Sequence, residues 1–523
     1  MYQLRASDWH AYSQGNTLDL LVAFDTESIS SHSKDLKPNG KVIYDMDRVP
    51  KGYSSLPKRS VGAPFTSKAK NEVGLPKAKN MIIAGCAAGH MGISKAILEE
   101  VVKEKLGSRG KELLDKNLSA IASGFALAPK RKPLNLPKAL TNKIVVSGNQ
   151  AIVLGALVAG CRFYGGYPIT PASDILEGMS NFLPGLGGIA FQGEDEMASL
   201  GAAIGASFVG TKAMAATSGP GLSLMTEMIG MASMAELPIV IVDAQRGGPS
   251  TGLPTKTEQS DLNHAVYAGH GDAPRIVVAP GNVEDCFYQT IRAFNLAERY
   301  QTPVLILTDQ SLAQLTEGMS IPDFESLRII DREKTDSNNE SGFRRYAVTH
   351  DGISPVSIPG QTNAEYIAES VEHDQSGRPS FGPHVHSEMT AKRFRKLETA
   401  AIDLEDDPLN VMEISDARDA RAKLGVIGWG STQGAIHDAI LRAKKESIRV
   451  RWLQCKLINP LPTKQITNFL RGLNKVLVPE LNYSAQFAKL LKTSFTVDTI
   501  SFNKSEGLPF TPNEILGKIE ELA

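Results

Sequence analysis

The sequence predicts an α/β fold organised as three domains, and three observations carry this prediction. Along most of the 523 residues, short apolar runs alternate with segments of helical periodicity, which is typical of parallel strands joined by helices. Many of these runs end in glycine turns, and the small residues are concentrated in the middle of the chain. The length is also sufficient for about three domains of ~150 residues each.

The composition excludes several classes of protein. The 56 lysine and arginine residues are balanced by 57 aspartate and glutamate residues, whereas a protein that binds nucleic acid through phosphates normally carries a basic surplus. With 42% hydrophobic and 22% charged residues, the chain is too apolar to be disordered throughout. We therefore expect a globular protein that does not bind nucleic acid.

The cysteines and the lengths of the apolar runs bear on metal binding and on location. Cys86, Cys161, Cys286 and Cys455 lie far apart, and no Cys-x-x-Cys motif occurs, so local motifs provide neither a zinc ribbon nor an iron–sulfur cluster. Isolated thiols in a long chain are typical of a reducing compartment. The sequence contains no run of ~18 apolar residues and no signal-peptide pattern at its start. We expect a cytoplasmic protein without a metal site of its own and without membrane contact.

The first predicted domain covers residues 1–126. Two apolar runs, Leu18–Asp25 and Lys41–Asp45, favour buried strands, and Asn80–Leu106 has apolar residues at helical spacing in its second half. Residues 127–142 follow with three prolines and little periodicity, which is typical of a linker.

The second predicted domain, residues 143–330, repeats a strand, a glycine turn and a helix rich in small residues. The strand-bearing segments read KIVVSG, AMAATSGPG, PIVIVDAQRGG, RIVVAPG and TPVLILTD. This alternation predicts a doubly wound sheet. Residues 331–405 lose the alternation and are either a disordered connector or a functional arm. Residues 406–523 are expected to form a smaller α/β domain, whose strands include KLGVIGWG, RVRWLQC, LINPLP and KVLVPELN.

Three further motifs invite a functional interpretation. Residues 248–252 match Gly-x-Ser-x-Gly, but Pro254 stands where a nucleophile elbow needs a helix. The segment GWGSTQG at 428–434 has one residue too many for a dinucleotide-binding turn, and a tight strand–helix turn is the alternative. His384 and His386 stand two apart, so they either bind a metal or lie in an exposed loop.

The segment Tyr167-Pro168-Ile169-Thr170-Pro171 carries the first chemical signal. Its two prolines fix the backbone, so that the Thr170 hydroxyl and the local amides point one way. A rigid strand-to-helix turn is the alternative, with Ser173 or Thr170 capping the next helix.

The second signal is a triplet of carboxylates, Glu194, Asp195 and Glu196, at the start of a helix made of small and apolar residues. Acids complement a helix N-terminus. Because this helix is too apolar for a surface helix, a carboxylate entering it is alternatively placed to hydrogen-bond a ring nitrogen of a ligand.

The third signal follows the strand that ends at Gln245 and Arg246. The loop beyond it offers the polar side chains of Ser250, Thr251, Thr255, Lys256, Thr257, Gln259 and Asp261. Loops at the carboxyl ends of parallel strands commonly bind ligands, and a cationic loop suits a substrate with a carboxylate. The residues alone leave open whether this loop binds an anion.

Together these segments resemble the α subunits of the 2-oxoacid:ferredoxin (acceptor) oxidoreductases, in particular the 2-oxoglutarate type with a fused γ domain. YPITP, GEDEMAS, TSGPGLSLM and QRGGPSTGLPTKTEQSDL occur in the family's order, as do DGISPVSIPG, EHDQSG, GWGSTQGAI, LINPLP and PELNYSAQ. The resemblance implies a central domain of the thiamine-diphosphate pyrimidine-binding type and a C-terminal domain similar to that of transketolase. It also implies coenzyme A-dependent oxidative decarboxylation of a 2-oxoacid, giving acyl-CoA, CO2 and reduced ferredoxin.

The resemblance implies a cofactor site in the central domain. Glu196 matches the family's glutamate that hydrogen-bonds the aminopyrimidine ring and promotes its imino tautomer. Tyr167, Pro168 and Ile169 belong to the matching cofactor-binding segment.

The resemblance also implies a substrate site. Thr170 would lie beside the reacting carbons and the substrate carboxylate, and Arg246 would stabilise that carboxylate. We infer in addition that Lys256 binds the distal carboxylate of a dicarboxylic substrate.

The implied assembly contains a second chain. Thiamine diphosphate would be shared with a β subunit, which in this family carries the Mg²⁺ and the [4Fe-4S] cluster, in an α2β2 complex that reduces ferredoxin. A pyruvate or broad-specificity enzyme and, more remotely, a non-catalytic homologue are the alternatives. The glycine-rich unit that normally opens the family's γ domain is absent from residues 1–126, so we expect a γ-like domain that is truncated at its N-terminus.

Overall fold

The computed structural model describes residues 3–7, 10–129, 142–335, 342–413 and 421–523. The chain divides into two compact units, one formed by Asn16–Thr141 and the other by Met1–Gly15 together with Asn142–Ala523. Residues 130–141 of the predicted linker lie outside the described residues.

The smaller unit contains a parallel sheet covered by helices. Its described strands, in the order in which they pair, are β1 (Leu18–Ala23), β2 (Leu36–Asp45) and β3 (Ser60–Ala63). Its described α-helices are α1 (Thr26–His32), α2 (Phe65–Asn71), α3 (Lys79–Met91), α4 (Lys95–Leu106) and α5 (Lys111–Leu127). The two predicted strands are confirmed, and Ala23, Val42 and Ile43 are fully buried in them.

Helices α3 and α5 approach each other closely because both carry glycine at the contact. A methyl group on Gly85 would overlap the carbonyl oxygen of Ile121, and one on Gly124 would overlap the carbonyl oxygen of Ile82. Backbone atoms in a close-packed interior cannot give way without moving a whole helix. The two glycines therefore set the spacing of this helix pair.

The larger unit is built around a predominantly parallel sheet. The strands described in this sheet are β5 (Phe163–Gly166), β6 (Ile189–Gln192), β7 (Ala213–Thr217), β8 (Ile239–Gln245), β9 (Ile276–Val278), β10 (Pro303–Asp309) and β15 (Leu457–Asn459). They pair in the order β15-β9-β10-β8-β7-β5-β6, with only β15 antiparallel to its neighbour in the described sheet. Strands β8 and β10 are buried along their whole length, as their continuous apolar runs predict.

One predicted strand of this domain lies outside the sheet. Strand β4 (Lys143–Ser147) pairs antiparallel with β11 (Thr316–Ser320), so its expected place in the doubly wound sheet was wrong. Its side chains are only partly covered, and Val145 is 73% exposed. A ribbon with one open face accommodates such a strand, whereas the middle of a parallel sheet does not.

Helices cover both faces of the central sheet. The described α-helices of this region are α6 (Gly148–Val158), α7 (Ser173–Phe182), α8 (Glu196–Phe208), α9 (Gly219–Met234), α10 (Leu262–Tyr267), α11 (Val283–Tyr300) and α12 (Gln310–Gln314). Helices α6, α7 and α11 contribute to the apolar core on one face. Helices α8, α9 and α10 contribute to the core on the other face, and this second core continues into the C-terminal domain.

The C-terminal domain has its own twisted sheet. Its described strands are β12 (Val411–Glu413), β13 (Leu424–Trp429), β14 (Val450–Cys455), β16 (Lys475–Glu480) and β17 (Thr499–Asn503), paired in the order β12-β14-β13-β16-β17. Its described α-helices are α14 (Gln433–Lys445), α15 (Thr463–Leu470), α16 (Gln486–Ser494) and α17 (Pro512–Leu522). The strand predicted here in LINPLP is instead β15, because its backbone pairs with β9 of the central sheet.

The beginning of the chain also packs on the C-terminal domain. Arg5 forms an ion pair with Asp438 on α14 at 2.8 Å, and the Tyr12 ring lies 3.5 Å from the His437 ring, centroid to centroid.

The described parts of the predicted arm form ordered structure that includes helix α13 (Pro383–Asp403). Lys392 and Lys396 of this helix are buried and pair with the buried Glu236, which follows α9. Burial opposes ionisation of Glu236, but the two ammonium groups hold the pKa of its carboxyl well below the usual range. Buried ion pairs thus connect helix α13 of the arm to the residue that follows α9. Residues 336–341 of the arm lie outside the described residues.

No helix in the described part of the chain is long and apolar enough to cross a membrane.

We expect Gly124→Ala to destabilise the smaller unit by about 1–3 kcal/mol, because the added methyl group overpacks the contact with the Ile82 backbone. The measurement is the free energy of unfolding of this unit within the full chain, followed by urea-dependent proteolysis. Gly107→Ala is the matched control, because a methyl group at Gly107 meets no atom within 4 Å. Equal stability of the two variants would show that the helix spacing does not depend on Gly124.

Candidate active site

The carboxyl ends of β5, β7 and β8 meet the N-termini of α8 and α9 at one edge of the central sheet. The segment Tyr167–Pro171 follows β5, Glu196 is the first residue of α8, and Arg246 follows β8 directly. This edge is where open α/β sheets bind ligands. The structure therefore brings three of the segments that the sequence singles out to one side of the sheet.

The segment after β5 is anchored at its end and open at its start. The side-chain amide of Asn149, on α6, donates a hydrogen bond to the Pro171 carbonyl at 2.8 Å. Tyr167 and Pro168 are exposed, whereas Ile169 and Thr170 are half-buried.

The predicted caps for the following helix were wrong. Helix α7 has Ala172 as its N-cap, with no side-chain capping bond. Ser173 already lies inside the first turn, and Thr170 lies two residues before the cap.

Arg246 and Thr170 are in direct contact. Arg246 is 7% exposed, and its guanidinium donates from Nη1 to the Thr170 carbonyl at 2.6 Å. Its Nε has no hydrogen-bond partner among the described residues. Since a guanidinium carries five N–H donors and no acceptor, Arg246 retains donors for an anion at this edge.

Glu196 begins α8 and points into the protein. The preceding Asp195 acts as the N-cap, because its carboxylate accepts a hydrogen bond from the Ala198 amide at 2.7 Å. Glu196 itself is 5% exposed, whereas Glu194 is exposed. Of the three predicted carboxylates, one caps the helix, one is buried at its start and one faces solvent.

The Glu196 side chain packs against Gly221, where no larger residue would fit. A methyl group on Gly221, in the first turn of α9, would overlap the Thr217 hydroxyl and lie 2.6 Å from Glu196 Cγ and Oε1. A buried carboxylate beside a glycine-lined surface suits an aminopyrimidine, because the imino tautomer of this ring has an N–H that donates to a carboxylate and because the absence of a side chain allows close approach to the backbone. The residues present therefore fit the pyrimidine end of thiamine diphosphate.

The loop after Arg246 closes on itself. The Gly247 amide donates to the Lys256 carbonyl at 2.9 Å, and the Leu253 amide donates to the Gly247 carbonyl at 2.7 Å. Gly252 has φ +52, and a methyl group there would overlap the Gly247 carbonyl. No α-helix follows Ser250 in this described loop, so the geometry of a nucleophile elbow is not formed.

Lys256 lies on the exposed side of this loop. Its aliphatic stem passes Gly507 of the C-terminal domain, where a methyl group would lie 2.8 Å from Lys256 Cβ. Lys256 is therefore accessible to solvent, while one side of its aliphatic stem packs against Gly507.

Two of the polar loop residues are occupied in holding the fold. Thr257 donates to the Asp309 carboxylate at 3.0 Å. Gln259 is fully buried and exchanges hydrogen bonds with the Leu481 backbone, at 2.7 Å and 3.1 Å. A methyl group on Gly430 would lie 2.5 Å from the Gln259 amide nitrogen, so this glycine of GWGSTQG serves a close packing contact.

Strand β8 contains one acid, Asp243, for which the sequence predicts no role. Asp243 is fully buried, and Asp261, at the start of α10, approaches the same region. Burial and the neighbouring Asp261 raise the pKa of Asp243 well above its usual range. The sequence contains a signal for this residue, because an aspartate is unusual inside an apolar, buried strand such as IVIVDAQ.

The histidines of the arm have protein partners. His386 lies on α13 and pairs with Glu372 at 2.6 Å, and the buried His373 ring contacts the backbone carbonyls of Asp374 and Met234. The described residues contain no group of three or more His, Cys, Asp or Glu side chains arranged to hold a metal ion.

Three family models match the chain. Residues 154–392 match the pyruvate flavodoxin/ferredoxin oxidoreductase, thiamine diphosphate-binding family. Residues 1–127 match the pyruvate ferredoxin/flavodoxin oxidoreductase family, and residues 422–502 match core domain II of pyruvate:ferredoxin oxidoreductase.

Similar proteins match over almost the whole length. The 2-oxoglutarate oxidoreductase subunit KorA of Mycobacterium tuberculosis is 33% identical over 98% of this chain and 82% of its own. Subunit alpha of 2-oxoacid:ferredoxin oxidoreductase 2 from Aeropyrum pernix is 31% identical over 100% of this chain and 90% of its own. The structure of 2-oxoglutarate:ferredoxin oxidoreductase from Magnetococcus marinus, with 2-oxoglutarate, coenzyme A and succinyl-CoA bound, matches with a TM-score of 0.89 and 38% identity, covering 98% of this chain and 90% of that one. The chain belongs to the family of 2-oxoacid:ferredoxin oxidoreductase α subunits.

Proposed function

We propose that this chain is the α subunit of an enzyme that oxidatively decarboxylates 2-oxoglutarate, giving succinyl-CoA, CO2 and reduced ferredoxin. The observation that carries the proposal is the contact of Arg246 with Thr170 at the sheet edge where Glu196 is buried. The names of the Mycobacterium relative and the Magnetococcus structure support 2-oxoglutarate as the substrate. Pyruvate is the second candidate, because the matching family models are named for it.

Glu196 is the residue that would hold the pyrimidine ring of thiamine diphosphate, with Tyr167, Pro168 and Ile169 beside the cofactor. When bound, this cofactor supplies an electron sink for the loss of CO2 from a 2-oxoacid. The task of Glu196 is to accept a hydrogen bond from the ring N–H of the imino tautomer, which favours this tautomer, and to keep the ring in one orientation. A carboxylate that is already buried needs no reorganisation for this task.

Arg246 and Thr170 are proposed to bind the reacting end of the substrate. The guanidinium retains N–H donors for the 2-oxoacid carboxylate, and its bond to the Thr170 carbonyl fixes the position from which it offers them. The half-buried Thr170 adds a hydroxyl near the same carboxylate. Lys256 is proposed to bind the distal carboxylate, because it is the exposed cation of the loop that begins at Arg246.

The rest of the proposed enzyme lies on other molecules. Relatives named as α subunits imply a partner β subunit, for which we propose the Mg²⁺, the [4Fe-4S] cluster and an α2β2 assembly located in the cytoplasm. Within this chain, residues 1–126 are proposed as the γ-like domain, 143–330 as the pyrimidine-binding domain and 406–523 as the C-terminal domain.

Replacing Glu196 tests the cofactor contact. In the complex reconstituted with the β subunit, we expect Glu196→Gln to lower kcat by roughly 10²–10⁴, the usual size of a lost acid–base contribution. Thiamine diphosphate should still bind, as measured by calorimetry. The exposed Glu194 provides the matched control, and Glu194→Gln should leave kcat close to that of the unaltered complex. Near-normal turnover of Glu196→Gln would refute its role.

Replacing Lys256 tests the substrate. We expect Lys256→Ala to raise KM for 2-oxoglutarate about tenfold, the scale of one charge-assisted hydrogen bond at a partly solvated site. The KM for pyruvate, which has no distal carboxylate, should not change. Lys464→Ala removes an exposed lysine that pairs with Glu405 and Asp406 elsewhere and serves as the control. An equal rise of KM for both substrates would contradict the assignment of Lys256.

The third test separates the chain from its partner. We expect the purified chain alone to show no turnover with 2-oxoglutarate, coenzyme A and a ferredoxin-like acceptor, and we expect turnover to appear on addition of the β subunit. Acyl-CoA formation by the isolated chain would rule out the two-subunit proposal.

A further inference from the structure

Among the described residues of α6 that are buried, only Asn149 has a polar side chain, and the proposed function gives it no role. Asn149 is fully buried, and its Nδ2 donates to the Pro171 carbonyl at 2.8 Å. Its Oδ1 is buried without a hydrogen-bond partner among the described residues. A buried amide with one unpaired acceptor is costly. Stability of the fold alone would therefore favour an apolar residue at this position.

The N-terminus of α6 does not need Asn149 as a cap. Ser147 is the N-cap and forms a capping box with Gln150. Gly148 brings the first turn against α12, since a methyl group at Gly148 would overlap the Leu312 carbonyl. The backbone at Asn149 is thus held by its neighbours, and its side chain serves a different element.

That element is the segment after β5, in which buried side chains bind two successive carbonyl groups. The Pro171 carbonyl accepts from Asn149 on α6. The preceding Thr170 carbonyl accepts from Arg246, which follows β8, at 2.6 Å. The peptide group between Thr170 and Pro171 is planar, and the proline ring fixes φ of Pro171. Only the rotation ψ of Pro171 then separates the two carbonyl groups, so holding one of them restricts the direction of the other.

We propose that Asn149 is a positioning residue: through the Pro171 carbonyl it fixes the peptide group that orients the Arg246 guanidinium. This peptide group carries the Thr170 carbonyl, to which Arg246 donates from Nη1. The inference rests on the proposed function, in which Arg246 receives the substrate carboxylate. Because productive binding depends on the direction of the N–H groups, a guanidinium on a fixed acceptor is better preorganised than one on a mobile acceptor.

The first test replaces Asn149 in the complex with the β subunit. Leucine has as many side-chain heavy atoms as asparagine but has no donor. We expect Asn149→Leu to raise KM for the 2-oxoacid about tenfold, the scale of one hydrogen bond to a charged group, with a smaller effect on kcat. An unchanged KM would overturn the inference.

Asn117→Leu is the matched control for this substitution. Asn117 lies in the smaller unit, is also buried, and donates from its side chain to the Leu113 carbonyl at 2.7 Å. The control therefore removes a comparable hydrogen bond far along the chain from the segment after β5. It should leave KM for the 2-oxoacid unchanged.

A double-mutant cycle separates positioning from a merely structural role. Arg246→Lys keeps the positive charge but loses the planar guanidinium that the Thr170 carbonyl orients. In this background we expect Asn149→Leu to change kcat/KM by less than about twofold, because the group that Asn149 positions is already absent. A further loss of about tenfold would mean that the two residues act independently, and this result would overturn the inference. If Asn149→Leu does not fold, Asn149→Ala, which also lacks the donor, takes its place in both tests.

A readout without turnover is the crystal structure of the Asn149→Leu complex. We expect the Arg246 guanidinium to leave the Thr170 carbonyl in this variant and to keep its bond in Asn117→Leu. An unchanged bond in Asn149→Leu would contradict the inference. A wild-type complex that turns over no 2-oxoacid would refute the proposed function, while the two crystal structures would still decide whether Asn149 positions Arg246.

Discussion

The candidate site depends on one packing constraint, namely the short distance between the start of α8 and the central sheet. Helix α8 can lie directly on β5 because Gly165 has no side chain. A methyl group at Gly165 would overlap the Ser199 carbonyl. At the start of the helix, Glu196 fits against Gly221, where any Cβ would meet it. These two missing side chains bring a carboxylate, the end of β7 and the first turn of α9 together. A larger residue at either glycine would overlap these atoms, so the present packing of α8 requires glycine at both positions.

The loop that carries Lys256 is fixed at both ends, and the two ends belong to different parts of the larger unit. At one end Arg246 holds the Thr170 carbonyl, which follows β5. At the other end Gln259 is hydrogen-bonded to the Leu481 backbone of the C-terminal domain. A change in the packing of the C-terminal domain would therefore move Lys256. Preorganisation of this kind reduces the entropy lost on binding.

The sequence predicts the buried parallel strands well because their apolar runs are continuous. It predicts that Glu196 enters a buried helix, because the residues that follow this carboxylate are too apolar for a surface helix. It cannot predict where Lys143–Ser147 and Leu457–Asn459 pair, because the hydrophobicity of a strand does not specify its neighbour. The role of Gln259 depends on a partner 222 positions away, so no local pattern reveals it. Asp243 differs from these cases, since one acid within a buried strand is visible in the sequence, although the neighbouring Asp261, which acts on its pKa, is identified only in the fold.

Strand β15 has a consequence for how the larger unit comes apart. It belongs by sequence to the C-terminal half but pairs with β9 of the central sheet, where the Ala279 amide donates to the Lys456 carbonyl at 2.8 Å. Next to it, the Asn459 side chain donates to the Arg275 carbonyl at 2.7 Å, and Lys456 pairs with Asp285 at 2.6 Å. Unfolding of either the central domain or the C-terminal domain would break the pairing of β9 with β15 and expose the backbone of the remaining strand. The two halves should therefore lose their slowest-exchanging amide hydrogens together, as one cooperative unit.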